Sequence, residues 1–300
     1  TLAAIGLAVG MVLERPVRQA LVPALVPGDQ VVRGFAILNS NREAARLTAP
    51  ALAGVLLAVS GPAAVYFLCF GFFVVMVLVV AILHIPPMER KGIPSAFFAS
   101  ISEGFRFVKE RPLMVRLMSL DFVAMVFGAY QVILPELATV VLGVGPGGYG
   151  LLAAAPPVGA LIGAATVYRL SARSASAGVL IIAASIGYGV SVVLLAQSRL
   201  FVLAIAAAVL VGLCDAVATT LRHAVVLTEA PDGLRGRVSA VYGMSAQAGP
   251  ALGDLQVGFL SGLIGIVAAL TLGGMVSIAF TTLIALRSPV LRNLRTPGGT

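Results

Sequence analysis

The chain has 300 residues, of which 59% are hydrophobic and 11% are charged, with a formal net charge of +8 at pH 7 and a mean hydropathy of +1.05. Soluble domains carry roughly a quarter of their residues as Asp, Glu, Lys and Arg. The composition therefore excludes an ordinary soluble domain and predicts an all-α integral membrane protein. In such a protein the excess of basic residues sets the orientation in the lipid bilayer, and we expect no nucleic-acid partner.

Apolar runs of about 20 residues, each long enough to cross a hydrocarbon core of roughly 30 Å as a helix, recur along the chain. They cover residues 1–24, 34–59, 62–83, 117–142, 148–168, 177–197, 200–227, 238–261 and 266–286. Barrel strands are excluded because they cross a membrane with about ten alternating residues. The sequence thus predicts a bundle of nine transmembrane helices.

A polar stretch between the third and fourth predicted spans divides the chain. In residues 95–110 the apolar side chains recur at helical spacing while Glu103 and Arg106 occupy other faces, which predicts an amphipathic helix on the membrane surface. This helix is either a linker between two halves or a strap that stabilises a gate. The predicted domains are a three-helix first half at 1–84, the linker at 85–116, a six-helix second half at 117–287 and a tail at 288–300.

The loops alternate in charge. Lys and Arg cluster in the 85–116 linker, at 169–173, at 235–237 and in the tail, whereas the loops around Gly61, Gly145 and Gly262 contain neither. By the positive-inside bias, the basic side and the C-terminus are cytoplasmic, and the first residue of the sequence lies outside.

The sequence also contains an internal repeat. Arg18-Gln19-Ala20, followed by Pro27 and Arg33, recurs at the same spacing as Arg222-His223-Ala224, followed by Pro231 and Arg237. Two homologous halves are expected, and the counterparts of residues 113–198 would precede residue 1. We therefore expect twelve helices in the complete protein, of which this chain holds helices 4 to 12.

Ionisable residues inside the spans are costly in lipid, so each is a candidate functional residue. Asp215 lies near the middle of the seventh span, with Thr219 and Arg222 at i+4 and i+7 on the same helical face. Asp215 is the first candidate for a proton-binding carboxylate. The alternative is a structural acid that Arg222 or another cation neutralises. Asp254, in the eighth span, is the second candidate.

Further polar residues mark the predicted cavity or gate. They are Arg18, Glu43, Arg46, Asp121, Gln131, Glu136 and Gln247. Arg18 and Arg222 are repeat partners near the cytoplasmic ends, which favours a structural role at an inner gate. Asp121 and Glu136 lie near the ends of their span, where water can solvate them.

The third, sixth and ninth spans contain no charged residue in their cores, so they can face lipid. The other spans would then surround a central aqueous cavity, with a site near the midplane between the repeats. Glycine pairs four residues apart predict close helix packing. The pairs are Gly6/Gly10, Gly159/Gly163, Gly249/Gly253 and Gly258/Gly262.

Catalytic signals are weak in this sequence. His84 and His223 are its only histidines, and they form no metal-ligand spacing with Cys69 or Cys214. An enzyme is therefore the least supported function, and we expect no cofactor.

A last set of segments carries a family resemblance. These segments are Arg15-Pro16-Val17-Arg18-Gln19-Ala20-Leu21-Val22-Pro23, Asn39-Ser40, Ala45-Arg46-Leu47, Ala49-Pro50-Ala51-Leu52-Ala53-Gly54, Glu103-Gly104-Phe105-Arg106-Phe107-Val108 and Leu234-Arg235-Gly236-Arg237-Val238. They resemble the major facilitator superfamily, specifically its enterobactin-exporter and multidrug-efflux branch. The resemblance covers essentially the whole chain as helices 4 to 12. Ala49, Pro50 and Gly54 stand where the family's helix five has its Gly-Pro antiporter motif, and Gly249, Pro250 and Gly253 stand in helix eleven.

The resemblance implies a proton-driven antiporter that exports a siderophore or an amphipathic drug by alternating access of two six-helix halves. It would lie in the inner or plasma membrane as a monomer. Its partners would be the lipid bilayer, a small-molecule substrate and protons, and the proton gradient would stand in place of a cofactor. The alternative is a truncated, non-transporting remnant, or a membrane assembly partner held by its packing seams.

Overall fold

The computed structural model describes residues 31–82, 95–171 and 176–294, which are almost entirely helical and contain no strand. The helices, in chain order, are α1 (Val31–Ile82), α2 (Ser95–Lys109), α3 (Pro112–Phe127), α4 (Pro146–Ser171), α5 (Ala177–Gln197), α6 (Phe201–Glu229), α7 (Asp232–Ile264), α8 (Ile266–Arg287) and α9 (Pro289–Arg292). An irregular segment, Gln131–Val141, joins α3 to the turn before α4 and contains one further three-residue helix, Leu134–Glu136.

Each predicted span that falls within the described residues is mainly helical. The predicted span at 1–24 lies outside the described residues. Within the described residues, six segments are long and apolar enough to cross a membrane. They are Val59–Val79, Pro112–Val141, Pro146–Arg169, Ala177–Gln197, Phe201–Val226 and Ile266–Arg287. The predicted spans at 34–59 and 238–261 are helical as well, but they carry more polar residues. The prediction of an all-α membrane bundle is confirmed.

Two glycines make the same backbone corner in the two halves. Gly61 (φ 74°, ψ 177°) interrupts α1, and Gly265 (φ 83°, ψ 159°) separates α7 from α8. This region of backbone space is almost restricted to glycine, because a Cβ clashes there. The two corners lie 204 residues apart, so each predicted half contains one of them, and the organisation into two related halves stays a prediction.

The predicted fourth span is not one continuous α-helix. Its α-helix ends at Phe127, and a 3₁₀ turn, a three-residue helix and a π-helical turn at Leu137–Val141 complete the crossing. Pro135 contributes to this irregularity because it has no N–H to donate to the preceding turn. The Tyr188 hydroxyl of α5 donates to the freed Gly128 carbonyl oxygen at 2.8 Å. A broken helix is tolerated at membrane depth when protein groups satisfy its backbone in this way.

The prediction that charge-free spans face lipid is only partly right. Residues 59–79 of the third span are wholly unburied, as expected for contact with lipid. The sixth and ninth spans, α5 and α8, are exposed on one side only. Their other sides pack together closely: a Cβ added at Gly274 would lie 2.8 Å from the Gly189 carbonyl oxygen. Small residues at this contact therefore let the backbones of α5 and α8 approach closely.

Glycine seams hold two other helix pairs together. A Cβ added at Gly163 would lie 2.6 Å from the Leu213 carbonyl oxygen, which places α4 directly against α6. Gly249 and Gly253 similarly let α7 contact α3 closely at Met125. No described atom lies within 4 Å of a Cβ added at Gly258 or Gly262, so the predicted seam at this pair stays a prediction. The pair Gly6/Gly10 lies outside the described residues.

The linker forms the predicted amphipathic helix, α2. Glu103 of α2 forms an ion pair with Arg237 near the start of α7. A Cβ added at Gly104 would lie 2.8 Å from the Arg237 carbonyl oxygen, so the backbones of α2 and α7 are in direct contact. At the same end of the bundle, Ser176 donates to the Arg292 carbonyl oxygen at 2.9 Å. The linker and the end of the described chain are therefore both docked onto the second half.

Candidate functional site

The most buried charged groups of the described chain lie between α3 and α6. Arg222 of α6 and Asp121 of α3 have side chains only 1% and 3% exposed, and a guanidinium nitrogen, Nη2, lies 2.6 Å from Asp121 Oδ1. Burying either charge alone in an apolar interior would have a large free-energy cost. Together they neutralise each other and fix the two helices in register.

The same guanidinium reaches a second carboxylate through a hydroxyl group. Arg222 Nη2 donates to Thr219 Oγ1 at 3.3 Å, and Thr219 Oγ1 donates to Asp215 Oδ1 at 3.3 Å. Arg222 Nη1 also donates to Ser185 Oγ of α5 at 3.4 Å. We call these five residues, Asp121, Arg222, Thr219, Asp215 and Ser185, the charge relay. The predicted face of Asp215, Thr219 and Arg222 is confirmed as a set of contacting side chains.

The relay has a chemical asymmetry. Asp121 contacts the guanidinium directly, and Asp215 accepts a hydrogen bond from the Thr219 hydroxyl, which in turn accepts one from the same guanidinium. The direct ion pair therefore holds α3 against α6, while Thr219 connects the same guanidinium to a second carboxylate.

The structure corrects one sequence prediction and locates a second predicted residue. Asp121 is 2% exposed, so it is not a solvated residue near the end of its span. Arg222 is 1% exposed and its ion-pair partner is Asp121, which is compatible with the expected structural role, and its place at an inner gate stays a prediction. This partnership could not be predicted from the sequence, because the two residues lie about a hundred positions apart and only the packing of α3 against α6 brings them together.

A stacked aromatic pair lies beside the relay. The ring centroids of His223 in α6 and Tyr242 in α7 are 4.8 Å apart, with an angle of 24° between the ring planes. His223 Nε2 and Arg222 Nε are buried and have no hydrogen-bond partner among the described residues. The sequence pointed to His223 only as part of the repeat. Its contact with α7 couples a third helix to the neighbourhood of Arg222.

Other predicted site residues lie apart from the relay. Asp254 is half-buried on α7 and forms no described hydrogen bond or ion pair with the relay. Gln247, Gln131 and Glu136 are exposed. Glu43 and Arg46 lie in α1, and the structure does not describe their side chains, while Arg18 falls outside the described residues.

The motif-like residues of α1 make a helix contact. A Cβ added at Gly54 would lie 2.8 Å from the Gly150 Cα of α4, and one added at Gly150 would lie 2.7 Å from the Pro50 carbonyl oxygen. Ala49 is exposed, and Pro250 is exposed on α7. Glycine at these positions therefore brings the first half against the second half.

A cavity of about 750 Å³ opens at the end of the bundle opposite α2. Glu136, Gln197, Ser261 and Thr271 contribute its polar groups, and the rest of its lining is mainly aliphatic. No relay residue lines it. The cavity therefore differs from the central one predicted near the midplane.

Comparison with known proteins assigns the fold to a family. A family model described as "Transmembrane secretion effector", from the major facilitator superfamily, matches residues 2–295. The enterobactin exporter EntS of Salmonella typhi is 28% identical over 279 residues, which is 92% of this chain and 66% of that protein. The EntS proteins of Escherichia coli K12 and Citrobacter koseri are 27% and 26% identical over 277 and 279 residues. Those matches cover 92% and 93% of this chain and 66% of each relative.

The chain thus spans just under two thirds of the length of these curated relatives. The match to the family model runs over nearly the whole sequence, and the helical bundle agrees with it. The chain belongs to the transmembrane secretion effector family of the major facilitator superfamily.

Proposed function

We propose that the protein is a secondary active transporter that exports a small amphipathic molecule in exchange for protons. Family membership and the similarity to enterobactin exporters support export across a membrane. A siderophore such as enterobactin, or an amphipathic drug, is the substrate class to test first. Transport by alternating access of two halves fits the repeated backbone corners at Gly61 and Gly265.

The observation that carries the proposal is the charge relay. Buried ionisable groups are expensive in a membrane protein, and they commonly mark proton or substrate pathways. Here two carboxylates, a hydroxyl group and a guanidinium form a continuous line from Asp121 on α3 to Asp215 on α6. A purely structural ion pair needs only Asp121 and Arg222, so Thr219 and Asp215 are the parts that suit proton exchange.

The relay also suggests how a proton would change the conformation. An ionised Asp215 accepts the Thr219 hydroxyl hydrogen, which leaves the Thr219 oxygen free to accept from Arg222. A proton on Asp215 removes one of the two negative charges of the relay, so the attraction of the guanidinium toward Asp215 weakens relative to its attraction toward Asp121. The contacts of Arg222 with Thr219 and Ser185 then weaken. Because Ser185 lies on α5, proton binding would alter the packing of three helices.

We further propose an inner-membrane location with the C-terminus in the cytoplasm, and a monomer as the working unit. The basic linker, including α2, supports this orientation through the positive-inside bias. Gln131, Gln247 and the charged residues Arg18, Glu43 and Arg46 are proposed to line the transport path or its gate. Asp254 is proposed as a secondary proton-binding residue, because it is the half-buried acid of α7.

The experiment measures efflux in membrane vesicles that contain the complete protein, with and without an imposed pH gradient. Enterobactin and ethidium serve as probes for the two substrate classes. We expect the gradient to drive transport of at least one probe by the wild type. Asp215→Asn should abolish the gradient dependence while membrane insertion is unchanged, and Asp254→Asn should retain a measurable part of it.

Two outcomes would contradict the proposal. Unchanged gradient-dependent efflux by Asp215→Asn would remove Asp215 as the coupling residue. If wild-type vesicles moved neither probe under either condition, exchange transport of these substrate classes would be wrong, and a non-transporting membrane component would become the better account.

A further inference from the structure

The linker helix α2 has one face bound to the protein and another that the described residues leave uncovered. On the bound side, Val108 is only 6% exposed, and Glu103 forms its ion pair with Arg237 of α7. These contacts, together with the close approach of Gly104 to the Arg237 carbonyl oxygen, fix the rotation of α2 about its own axis. The direction of the uncovered face is therefore set by the packing of α2 on α7.

Phe105, Arg106 and Lys109 form this uncovered face, which we call the basic face. All three residues are exposed, and spacings of three and four positions place them side by side on the helix. Phe105 keeps 61% of its surface exposed, although it is a large aromatic residue on a docked helix. Neither Arg106 nor Lys109 forms an ion pair with a described Asp or Glu. The basic face thus combines an exposed aromatic ring with two cations that no described carboxylate neutralises.

Arg111 adds a third cation at the junction between α2 and α3. Its guanidinium carbon lies 4.4 Å from the centroid of the Phe107 ring, a cation–π contact that restricts where the side chain can lie. Its backbone N–H donates to the Val108 carbonyl oxygen at 3.1 Å, so the junction itself is ordered. Glu110 is exposed beside it, so the basic face and the junction together carry a net charge of +2, from three cations and one carboxylate. This end of α2 therefore attracts anions.

The position of α2 along the chain places it at the level of the membrane surface. The helix ends at Lys109, and the membrane-crossing segment Pro112–Val141 begins three residues later. A helix at this level meets phospholipid headgroups, whose phosphates accept from Arg and Lys, while an aromatic ring reaches the boundary with the acyl chains. A soluble anion would satisfy the cations but would leave the Phe105 ring in water. The exposed ring therefore favours a lipid as the occupant.

From these observations we propose that the basic face of α2 binds anionic phospholipid, with headgroup phosphates at Arg106, Lys109 and Arg111 and acyl chains against Phe105. The lipid belongs to the leaflet next to α2, which is the cytoplasmic leaflet in the orientation proposed above. This site is separate from the charge relay and does not depend on proton exchange.

The test uses the fluorescence of a single tryptophan. The 300 residues contain no Trp, so Phe105→Trp places a reporter in the basic face, and any Trp elsewhere in the complete protein is first replaced by Phe. The complete protein is reconstituted in mixed vesicles of phosphatidylcholine and phosphatidylglycerol, in which one lipid or the other carries dibrominated acyl chains. Bromine quenches Trp on contact, so the two series give the relative affinity of the basic face for the two lipids. We expect a preference of about tenfold or more for phosphatidylglycerol.

A second reporter shows whether the preference is local. Phe67→Trp is the matched control, because Phe67 is 76% exposed and lies in a segment, residues 59–79, that contains no Lys or Arg. Both lipids should quench this reporter, with a preference below about twofold, since no basic side chain is near it in the sequence.

Charge variants locate the headgroup. In the Phe105→Trp background, Arg106→Gln and Lys109→Gln should each lower the preference for phosphatidylglycerol about fivefold, the factor expected for one basic side chain beside an anionic membrane surface. Arg199→Gln is the control, because Arg199 is an exposed cation at the other end of the bundle, between α5 and α6. It should leave the preference within about twofold of the parent.

Three results would overturn the inference. Equal affinity for the two lipids at the Phe105→Trp reporter would show that the basic face does not select anionic lipid. The same preference at the Phe67→Trp reporter would show that phosphatidylglycerol gathers around the whole protein and not at α2. Absence of quenching by either lipid at the Phe105→Trp reporter would show that the basic face lies in water, where a soluble anion would be its ligand.

Discussion

The buried ion pair between α3 and α6 makes a quantitative prediction. Asp121→Asn leaves the Arg222 guanidinium almost fully buried without its carboxylate, since the side chains are only 1% and 3% exposed. Breaking a buried pair by removing one partner costs about 3 to 5 kcal/mol, and an isolated charge at the centre of a membrane helix costs about 3 kcal/mol. We therefore expect Asp121→Asn to lower the free energy of unfolding by about 3 kcal/mol.

The double variant Asp121→Asn/Arg222→Gln separates the ion pair from other effects. It removes both charges and retains polar groups of similar shape, so it should lose less stability than either single variant. Asp254→Asn is the control, because Asp254 is half-buried and has no contact with the pair, and its effect should remain under about 1 kcal/mol.

The assay is unfolding of the purified protein by SDS titration in mixed micelles, followed by circular dichroism of the helices. The reasoning would be refuted if Asp121→Asn unfolded at the wild-type SDS fraction, or if the double variant lost as much stability as either single variant. Either result would mean that Arg222 does not depend on Asp121 in the membrane-like environment.

Three more predictions concern single contacts. Gly212→Ala should destabilise the protein by about 1 to 3 kcal/mol in the same assay, because its Cβ would overlap the Pro156 carbonyl oxygen of α4. Gly258→Ala is the control: its Cβ would meet no described atom, so its effect should stay within about 0.5 kcal/mol. Tyr188→Phe leaves the Gly128 carbonyl oxygen without its donor and should cost about 1 to 3 kcal/mol by SDS unfolding. Thr219→Val removes the hydroxyl group of the relay and should reduce gradient-dependent efflux in vesicles severalfold. Thr219→Ser keeps the hydroxyl group and should retain that efflux. Equal efflux by the two variants would show that the hydroxyl group is dispensable.

Much of the architecture was predictable because the signals are local. A run of about 20 apolar residues indicates a membrane-spanning helix, and apolar and charged residues on different helical faces indicate the amphipathic helix α2. The i, i+4, i+7 spacing of Asp215, Thr219 and Arg222 likewise places them on one face in any helix. These predictions needed no knowledge of which helices are neighbours.

The remainder depends on tertiary contacts. Nothing near Asp121 in the sequence indicates that it meets Arg222, since only the packing of α3 against α6 creates the pair. The sequence did not predict the burial of α5, because a helix without charged residues can pack against either lipid or protein. The break after Phe127 had a readable signal in Pro135, but the Tyr188 hydroxyl that stabilises it comes from another helix.

The most direct test of the central claim is the protonation of Asp215 itself. Infrared difference spectra of the purified protein, recorded across a pH titration, report the C=O stretch of carboxyl groups as they gain protons. We predict a pH-dependent carboxyl band that disappears in Asp215→Asn and shifts in Thr219→Val, because the hydroxyl group bonds to that carboxylate. Identical carboxyl bands in the wild type and in Asp215→Asn would contradict the account, since Asp215 would then bind no proton in this range.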